Sequence, residues 1–339
     1  MSIWIWVATV VVILGLLALD FAISHKPHHV GIREATWWSV FYIAVAVVFG
    51  IVIFWWQGTT AGTEFFSAYL VEKSLSVDNL FVFAIIFAKF LVPDALQQRV
   101  LLFGIILALV FRTIFIAVGA AALAYFSFTF VIFGALLIWT GIQLARHRNE
   151  DPEPSENLVT KLARKRFTVT DDYHGTAFFT KIDGVKAATP LLLVVIAVGS
   201  TDLLFALDSI PATFGVTQDP YLVFAANAFA LLGLRALFFL LKGLLDRLVY
   251  LSLGLAVILV FIGIKLVLTW AHENWASVPK IPTLTSLAVI VVILAITAIA
   301  SLIKTRQDPT AVAHAGTVTK PKHSEGASNS PERSSDEQG

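Results

Sequence analysis

Five side chains with oxygen donors lie within, or at the edge of, two strongly apolar stretches of the sequence. They are Glu72, Asp78 and Asn79 in the first stretch and Asp202 and Asp208 in the second. Carboxylate, amide and hydroxyl oxygens are the donors that Mg²⁺, Ca²⁺ and Mn²⁺ prefer. The chain has no cysteine, and Met1 is its only methionine. Thiolate sites for softer metals are therefore excluded, and the residues predict a site for a hard divalent cation without choosing among these ions.

Histidine ligands are not expected at this site either. All eight histidines fall in predicted loops or in the C-terminal tail, so an imidazole site for copper or zinc is not available inside the apolar stretches. Hydroxyl and guanidinium side chains accompany the five oxygen-bearing residues instead. This supporting set is Ser76, Thr201, Ser209, Arg112 and Arg235. No permanently bound cofactor is expected, because the cation would be the substrate.

Helical geometry divides the oxygen-bearing residues of the first stretch between two faces. Glu72, Ser76 and Asn79 are spaced i, i+4 and i+7 and share one face of a helix. Asp78 lies about 100° around a regular helix from Asn79. A site that used both Asp78 and Asn79 would therefore require a distorted or broken helix.

In the second stretch, a proline follows shortly after the last acidic residue. Pro211 has no N–H and disfavours helical backbone at Ile210. We therefore expect the helix to end or unwind over 208–211, which would free carbonyl oxygens beside Asp208. Such carbonyls are common cation ligands in the discontinuous helices of transporters.

Charged groups inside a bilayer are costly, which makes this concentration of acids informative. One charged side chain near the bilayer centre costs about 2.5–3.5 kcal/mol, so four unpaired carboxylates would cost on the order of 10 kcal/mol. Arg112 and Arg235, with Lys73 nearby, could neutralise carboxylates in purely structural ion pairs. Four acids against two deep arginines leave an excess of negative charge, however, and this excess favours a cation site.

The elements that must position these residues are membrane-spanning helices. Of the 339 residues, 58% are hydrophobic and 14% are charged, and the mean hydropathy is +0.82; soluble domains carry about 25% charge. Because a spanning helix needs about 20 mostly apolar residues, we predict an all-α polytopic membrane protein with about nine spans. The spans are 3–23, 36–56, 65–88, 99–120, 122–145, 188–207, 221–242, 248–270 and 284–304.

Lysine and arginine test this assignment, because they collect in cytoplasmic loops. The loops after the first, third, fifth and seventh spans carry them, those after the second, fourth and sixth do not, and the eighth has only Lys280. The alternation predicts an N-terminus outside and a C-terminus in the cytoplasm, with the protein in the plasma (inner) membrane. The formal net charge of +1 gives no indication of a nucleic-acid partner,.

Landmarks recur in the same order in two parts of the chain. The landmark pairs and their offsets are Asp78 and Asp202 at 124 residues, Arg112 and Arg235 at 123, and Gly141 and Gly263 at 122. Each repeat would contain three spans, so spans 3–5 and spans 6–8 would enter the membrane from opposite sides. Such an inverted repeat is typical of secondary transporters, whose substrate sites lie near the midplane between the repeats.

Two segments lie outside the predicted spans. Residues 146–187 are predicted to form a charged cytoplasmic linker with a short helix around 157–167. Residues 306–339 are rich in Ser, Pro, Lys, Glu and Gly. Such a segment cannot bury enough apolar surface to fold, so we expect a disordered cytoplasmic tail. Residues 1–305 would form one transmembrane domain that includes the linker.

Two segments resemble the signatures of a known membrane-protein family. Residues 72–79, EKSLSVDN, resemble the first signature of the TerC/Alx family, and residues 201–212, TDLLFALDSIPA, resemble the second. Ala18-Leu19-Asp20 at the end of the first span also fits, so the resemblance covers about residues 1–305. Many relatives have a further glutamate shortly before the second aspartate, where this chain has Val198-Gly199-Ser200.

The resemblance implies manganese export or, more broadly, metal-ion homeostasis. The family name derives from tellurium (tellurite) resistance, and some members are linked to loading metal into secreted proteins or to membrane-protein assembly. By match to the signatures, the residues expected to bind the ion are Glu72, Asp78, Asn79, Asp202 and Asp208.

We weigh three functions on this basis. The first is a transporter that binds the cation between the repeats and rocks one repeat against the other, with proton antiport as the coupling. The alternative is a scaffold for metal or tellurite resistance, or for metallation and assembly of secreted proteins. It would contact the secretion machinery or a resistance complex through the linker and tail without moving ions. An enzyme is not expected, because the spans carry no nucleophile–base pair, zinc-binding histidine motif or phosphate loop.

Overall fold

The computed structural model of the protein contains ten helices and one β-hairpin within the residues that it describes. These residues are 3–23, 31–147, 170, 173, 175–182, 185–242, 249–275, 277–279 and 281–307. The helices are α1 (Ile3–Ile23), α2 (Ile32–Gln57), α3 (Thr59–Lys89), α4 (Asp94–Tyr125), α5 (Thr129–Arg146), α6 (Pro190–Phe214), α7 (Pro220–Leu231), α8 (Leu234–Leu241), α9 (Leu251–Asn274) and α10 (Thr283–Gln307). The hairpin pairs β1 (Phe179–Ile182) with β2 (Val185–Ala188).

Most of these helices suit a membrane. Seven of the described helices are long and apolar enough to cross one, and the bent pair α7–α8 makes an eighth. Helix α3 has 31 residues, which corresponds to about 46 Å at 1.5 Å per residue. It is more polar than its neighbours because it carries Glu64, Glu72, Lys73, Asp78 and Lys89. The predicted all-α polytopic membrane fold is confirmed, whereas the number of nine spans stays a prediction.

The predicted boundary between the fourth and fifth spans is wrong. Helix α4 runs to Tyr125, through the residues predicted to begin the fifth span, and α5 begins only at Thr129. The sequence is continuously apolar there, so hydropathy alone does not mark the turn. The turn is instead marked by Thr129, whose hydroxyl donates to the carbonyl of Ala122 at 3.0 Å and so satisfies a backbone acceptor at the end of α4,.

Helix α6 continues through Pro211 to Phe214, so the break predicted over 208–211 is wrong. The hydroxyl of Thr213 donates to the carbonyl of Ser209 at 2.8 Å, and the N–H of Gly215 donates to the carbonyl of Pro211 at 2.9 Å. Hydroxyl side chains and continued helical bonds of this kind satisfy the backbone around a proline inside a membrane. The helix therefore needs no unwound turn at this position.

The break in a spanning element lies instead between α7 and α8. The two helices meet at an angle of 44°, and Gly233 between them has a φ of +77°. A residue with a Cβ rarely adopts this backbone conformation. A Cβ at Gly233 would also lie 2.7 Å from the side chain of Tyr42 on α2. The bend redirects α8 and places Arg235 in its first turn.

We expect Gly233→Ala to lower the free energy of unfolding by about 1–3 kcal/mol, because alanine is strained at this φ and meets Tyr42. Thermal melting of the purified protein in detergent measures the effect. Gly15→Ala is the matched control, since a Cβ at Gly15 in α1 would meet no atom within 4 Å. Equal melting temperatures for the two variants would show that the bend does not depend on glycine.

Helices of the two predicted repeats pack in an exchanged pattern. Helix α4 packs on α6 as α7 packs on α3, and α5 packs on α9. A Cβ at Gly134 would lie 2.7 Å from the carbonyl oxygen of Gly263, and one at Gly141 would lie 2.8 Å from that of Ala256. Residues 134 and 256 correspond at an offset of 122, and so do residues 141 and 263. Exchanging the two predicted repeats therefore turns the contact between 134 and 263 into the contact between 256 and 141. The packing has the symmetry that an inverted repeat requires, although the repeat itself stays a prediction.

The segment predicted as a charged linker contains the β-hairpin, which the sequence analysis missed. The strands are antiparallel, with Phe179 opposite Ala188. The N–H of Thr189 donates to the carbonyl of Phe178 at 2.9 Å and so joins the hairpin to the start of α6. The helix predicted around 157–167 and the tail from residue 308 onward lie outside the described residues. Helix α10 ends at Gln307, three residues beyond the predicted span.

Candidate functional site

The guanidinium of Arg112 joins two of the predicted acids, one from each predicted repeat. Arg112 and Glu72 are both 0% exposed, and Nη1 of Arg112 forms an ion pair with the Glu72 carboxylate. Nε and Nη2 of Arg112 donate to the two carboxylate oxygens of Asp202 at 3.3 and 3.2 Å. Nη1 also donates to Oδ1 of Asn227 at 2.8 Å. We call Glu72, Arg112, Asp202 and Asn227 the Arg112 cluster.

Four helices position the Arg112 cluster: α3 supplies the glutamate, α4 the arginine, α6 the aspartate and α7 the asparagine. Nδ2 of Asn227 donates to the carbonyl of Val223 at 3.1 Å, which turns the amide oxygen towards Arg112. Helices α4 and α6 approach closely because Gly104 has no side chain, and a Cβ there would lie 2.8 Å from Val198. Sequence analysis did not select Asn227 as a site residue, although a lone asparagine in an apolar span often forms a hydrogen bond to a neighbouring helix.

The charges of the Arg112 cluster do not balance. One guanidinium faces two carboxylates and a neutral amide, so the ionised cluster carries one net negative charge. The next ammonium along α3, that of Lys73, donates to the carbonyl of Ala230 at 3.0 Å. Structural pairing with arginine therefore accounts for one of the two buried carboxylates. If both are ionised, the other has no counter-charge within the described part of the chain, which is costly away from water.

Two predicted residues of α3 are buried on the same helix as Glu72. Ser76 is 0% exposed and Asn79 is 4% exposed. The hydroxyl of Ser76 has no hydrogen-bond partner among the described residues. From α6, the hydroxyl of Thr213 reaches Oε2 of Glu72 at 3.4 Å. Polar groups of α3 and α6 therefore face each other beside the Arg112 cluster.

Asp78 has a different neighbour from Glu72. Its carboxylate accepts a hydrogen bond from Ser252 on α9, and its Oδ1 is buried without a hydrogen-bond partner in the described part of the chain. The helix α3 is regular, and Asp78 lies six residues after Glu72, about 9 Å along the axis and 240° around it. A regular helix therefore turns the two acids towards different neighbours.

The remaining predicted residues lie along α6. Asp208 is half-buried, and Ser209 is 1% exposed. The hydroxyl of Thr201 donates to the carbonyl of Ala197 at 2.7 Å. Because α6 stays helical, the unwinding expected beside Asp208 does not occur. Asp208 therefore stays on a different face of α6 from Asp202.

Arg235, the repeat counterpart of Arg112, holds an acid from outside the repeats. Its Nη2 donates to Oδ1 of Asp20 on α1 at 2.6 Å, and its Nη1 donates to Oε1 of Gln98 on α4 at 3.3 Å. The hydroxyl of Tyr42 also donates to Oδ1 of Asp20 at 3.1 Å. Sequence analysis placed Asp20 in a family-like segment but did not select it as a site residue. Arg112 and Arg235 therefore have different kinds of partner, so the two predicted repeats are not symmetric at these positions.

The structure thus brings Glu72 and Asp202 together and gives Asp78 and Asp208 other surroundings. In the ranges that the structure describes, no three histidine, aspartate or glutamate side chains are grouped closely enough to hold a metal ion. One histidine position needs correction, because His272 lies in the last turn of α9 rather than in a loop. The Arg112 cluster is the part of the predicted site whose acids the structure brings together, and the cation site itself stays a prediction.

A known protein family matches the part of the chain that contains most of these helices. A family model described as the integral membrane protein TerC family matches residues 57–309. The chain belongs to the TerC family of integral membrane proteins. The match to the TerC model includes the whole Arg112 cluster and Arg235, whereas Asp20 on α1 lies before it.

Several TerC-like relatives align over most of their length. An uncharacterized membrane protein of Myxococcus xanthus is 43% identical over 93% of this chain and 97% of its own. An uncharacterized membrane protein of Mycobacterium tuberculosis (strain H37Rv) is 49% identical over 80% of this chain and 69% of its own. The protein Alx of Escherichia coli K12, named as a candidate membrane-bound redox modulator, is 39% identical over 78% of this chain and 85% of its own. No solved structure matches the chain.

Proposed function

We propose that this TerC-family protein transports a hard divalent cation, with Mn²⁺ as the expected substrate. The Arg112 cluster carries the proposal, because two buried carboxylates from the two repeats share one guanidinium and keep one net negative charge. A dication that enters between Glu72 and Asp202 is attracted by this charge and, with Arg112 still present, gives the cluster one net positive charge. The carboxylate and amide oxygens there are donors that Mn²⁺, Mg²⁺ and Ca²⁺ accept.

In the proposed cycle, Arg112 braces the two acids while the site is empty. The arriving cation competes with the guanidinium for the Glu72 and Asp202 oxygens, and rocking of one repeat against the other then exposes the site to the opposite surface. Protons that bind the same carboxylates on the outer side release the cation, which gives proton antiport. The proposal places the protein in the plasma membrane with the N-terminus outside and the C-terminus in the cytoplasm, and it works as an exporter without enzymatic chemistry.

The alternative is a scaffold that serves metal or tellurite resistance, or the metallation of secreted proteins, without moving ions. The name of the Alx relative suggests a redox role for that protein. This chain has no cysteine, so any redox effect it has needs a route other than thiol exchange. The transporter is preferred because a scaffold provides no reason to keep an uncompensated carboxylate inside the membrane.

Flux measurements on proteoliposomes test the proposal. We expect Mn²⁺ uptake by liposomes that contain the protein, with a rate that depends on an imposed pH gradient and with Mg²⁺ and Ca²⁺ as competitors. Liposomes with the double variant Glu72→Gln, Asp202→Asn provide the control for leak. Uptake no faster than in this control, for all three cations and with either direction of the pH gradient, would favour the scaffold.

A further inference from the structure

A polar cavity lies where α6 ends and α3 begins. Its volume is about 230 Å³, and Glu64, Thr217, Asp219 and Lys265 are among its lining residues. Oε2 of Glu64 accepts a hydrogen bond from the hydroxyl of Thr217 at 2.7 Å. The proposed function does not use this cavity, yet charged and hydroxyl groups line it beside the end of α6 and the start of α3.

Rows of oxygen atoms connect this cavity to the Arg112 cluster. On α3, Glu64 and Glu72 are eight residues apart, so they share a face and lie about 12 Å apart along the axis. On α6, Thr213 lies 3.4 Å from Oε2 of Glu72. The N–H of Thr217 donates to the carbonyl of Thr213 at 3.1 Å, which carries the helical spacing one turn past the end of α6. Each glutamate therefore faces one threonine.

Two further hydroxyls extend these rows past the Arg112 cluster. Ser209 precedes Thr213 by four residues on α6, and Ser76 follows Glu72 by four residues on α3. Ser76 and Ser209 are 0% and 1% exposed, and neither hydroxyl oxygen has a hydrogen-bond partner among the residues described. Buried polar groups are nearly always hydrogen-bonded. Unpartnered hydroxyls on these rows therefore point to a ligand, either water or a cation.

We infer that Glu72 and Thr213, followed by Thr217 and Glu64 at the cavity, form the path of the cation between the Arg112 cluster and one membrane surface, and that Ser76 and Ser209 continue the two rows on the other side of the cluster. The path rests on the proposed function for the identity of the ion. Its hydroxyl and carboxylate oxygens are the donors that a partly dehydrated hard cation needs. Its geometry also makes it a route for water, which can be tested without transport.

Lys265 lines the cavity at the mouth of this path together with the acids Glu64 and Asp219. The counterpart of Lys265 in the other predicted repeat is Gln143, at the offset of 122 residues that relates α5 to α9. The charge is thus present in only one of the two predicted repeats. A fixed charge at the mouth changes cation entry and exit by the same factor, so it affects the rate of movement along the path and not its direction.

Water access to the path can be measured directly because the chain has no cysteine. Single variants Thr213→Cys and Thr217→Cys in the full chain in liposomes are treated with a membrane-impermeant methanethiosulfonate reagent. We expect both to react from the same membrane surface, and Mn²⁺ to slow the reaction at Thr213→Cys. The matched control is Thr140→Cys, since Thr140 on α5 is 3% exposed and donates only within its own helix, to Leu137. If Thr213→Cys is as unreactive as Thr140→Cys from both surfaces, the path is overturned.

Flux measurements separate failure of the path from failure of the proposed function. Thr213→Val should lower Mn²⁺ flux about tenfold, as expected for the loss of one oxygen contact, and Thr140→Val should leave it unchanged. Flux that requires Glu72 but is unchanged in Thr213→Val overturns the path and supports the function. Reactive cysteines without flux in the unmodified protein overturn the function, and with it the role of the path for a cation.

Discussion

Arg112→Met is expected to lower the free energy of unfolding by about 3–5 kcal/mol, because it leaves two buried carboxylates without their common partner. Methionine keeps an unbranched side chain of comparable length, so little packing is lost. Glu72 and Asp202 would then face each other inside a membrane protein with no cation between them. Denaturation of the purified variant in detergent measures the loss, and protein abundance in the membrane fraction reports the same effect in cells.

Lys242→Met is the matched control for this prediction. The ammonium of Lys242 donates to Asp94 at 2.7 Å, but the two side chains are 45% and 47% exposed. Exposed pairs of this kind contribute about 0–1 kcal/mol. A triple variant with Arg112→Met, Glu72→Gln and Asp202→Asn is expected to recover most of the stability, since it removes the buried charges together. An Arg112→Met protein as stable as the Lys242→Met protein would mean that the cluster is not a buried ionic centre.

Spanning helices and acidic site residues could be predicted because their signals are local. Hydropathy located the helices, and charges in apolar surroundings identified Glu72 and Asp202. The i, i+4 and i+7 spacing also separated Glu72 from Asp78, and the regular α3 keeps that separation. Pairing of the deep arginines with carboxylates was weighed as a structural alternative to an excess of acids, without a choice of partners. In the structure, Arg112 pairs with both Glu72 and Asp202, so ion pairing and an excess acid occur in the same cluster.

The position of the helix break could not be predicted, because it depends on tertiary contacts. Pro211 is the stronger local signal, but the helix continues through it, and the N–H of Gly215 and the hydroxyl of Thr213 still donate to carbonyls of this turn. Gly233 is a weak signal by itself, since isolated glycines are common in spanning helices. Its positive φ and the close approach of Tyr42 of α2 become visible only in the folded structure.

The ion-pair partners of Arg112 and Arg235 could not be predicted for the same reason. If the two predicted repeats were symmetric, Arg235 and Arg112 would have equivalent partners. Arg235 instead binds Asp20 of α1, which lies 215 residues away in the sequence. Partner choice at this distance is decided by which helix packs against the repeats. A single sequence without aligned relatives does not contain that information.

Asp202→Asn is expected to lower Mn²⁺ transport about a hundredfold or more, because it removes one charged ligand of the cation from a buried site. The same variant should keep its free energy of unfolding within about 1 kcal/mol of the unmodified protein. Asparagine has the shape of aspartate, and its Oδ1 can still accept one hydrogen bond from Arg112, although its amide nitrogen cannot accept the second bond that Asp202 takes. The cluster then holds one guanidinium and one carboxylate, which balance. Proteoliposome flux and growth of cells in excess Mn²⁺ measure the first quantity, and denaturation in detergent measures the second.

This combination of results separates a transport site from a structural ion pair. If the cluster only stabilises the fold, neutralising the excess acid improves the charge balance and leaves Mn²⁺ tolerance intact. If the excess acid is the binding charge, tolerance is lost while the fold is retained, and Glu72→Gln behaves in the same way. Asp94→Asn is the control, because Asp94 is an exposed acid paired with Lys242. Unchanged Mn²⁺ tolerance in both Asp202→Asn and Glu72→Gln cells would exclude the Arg112 cluster as the substrate site.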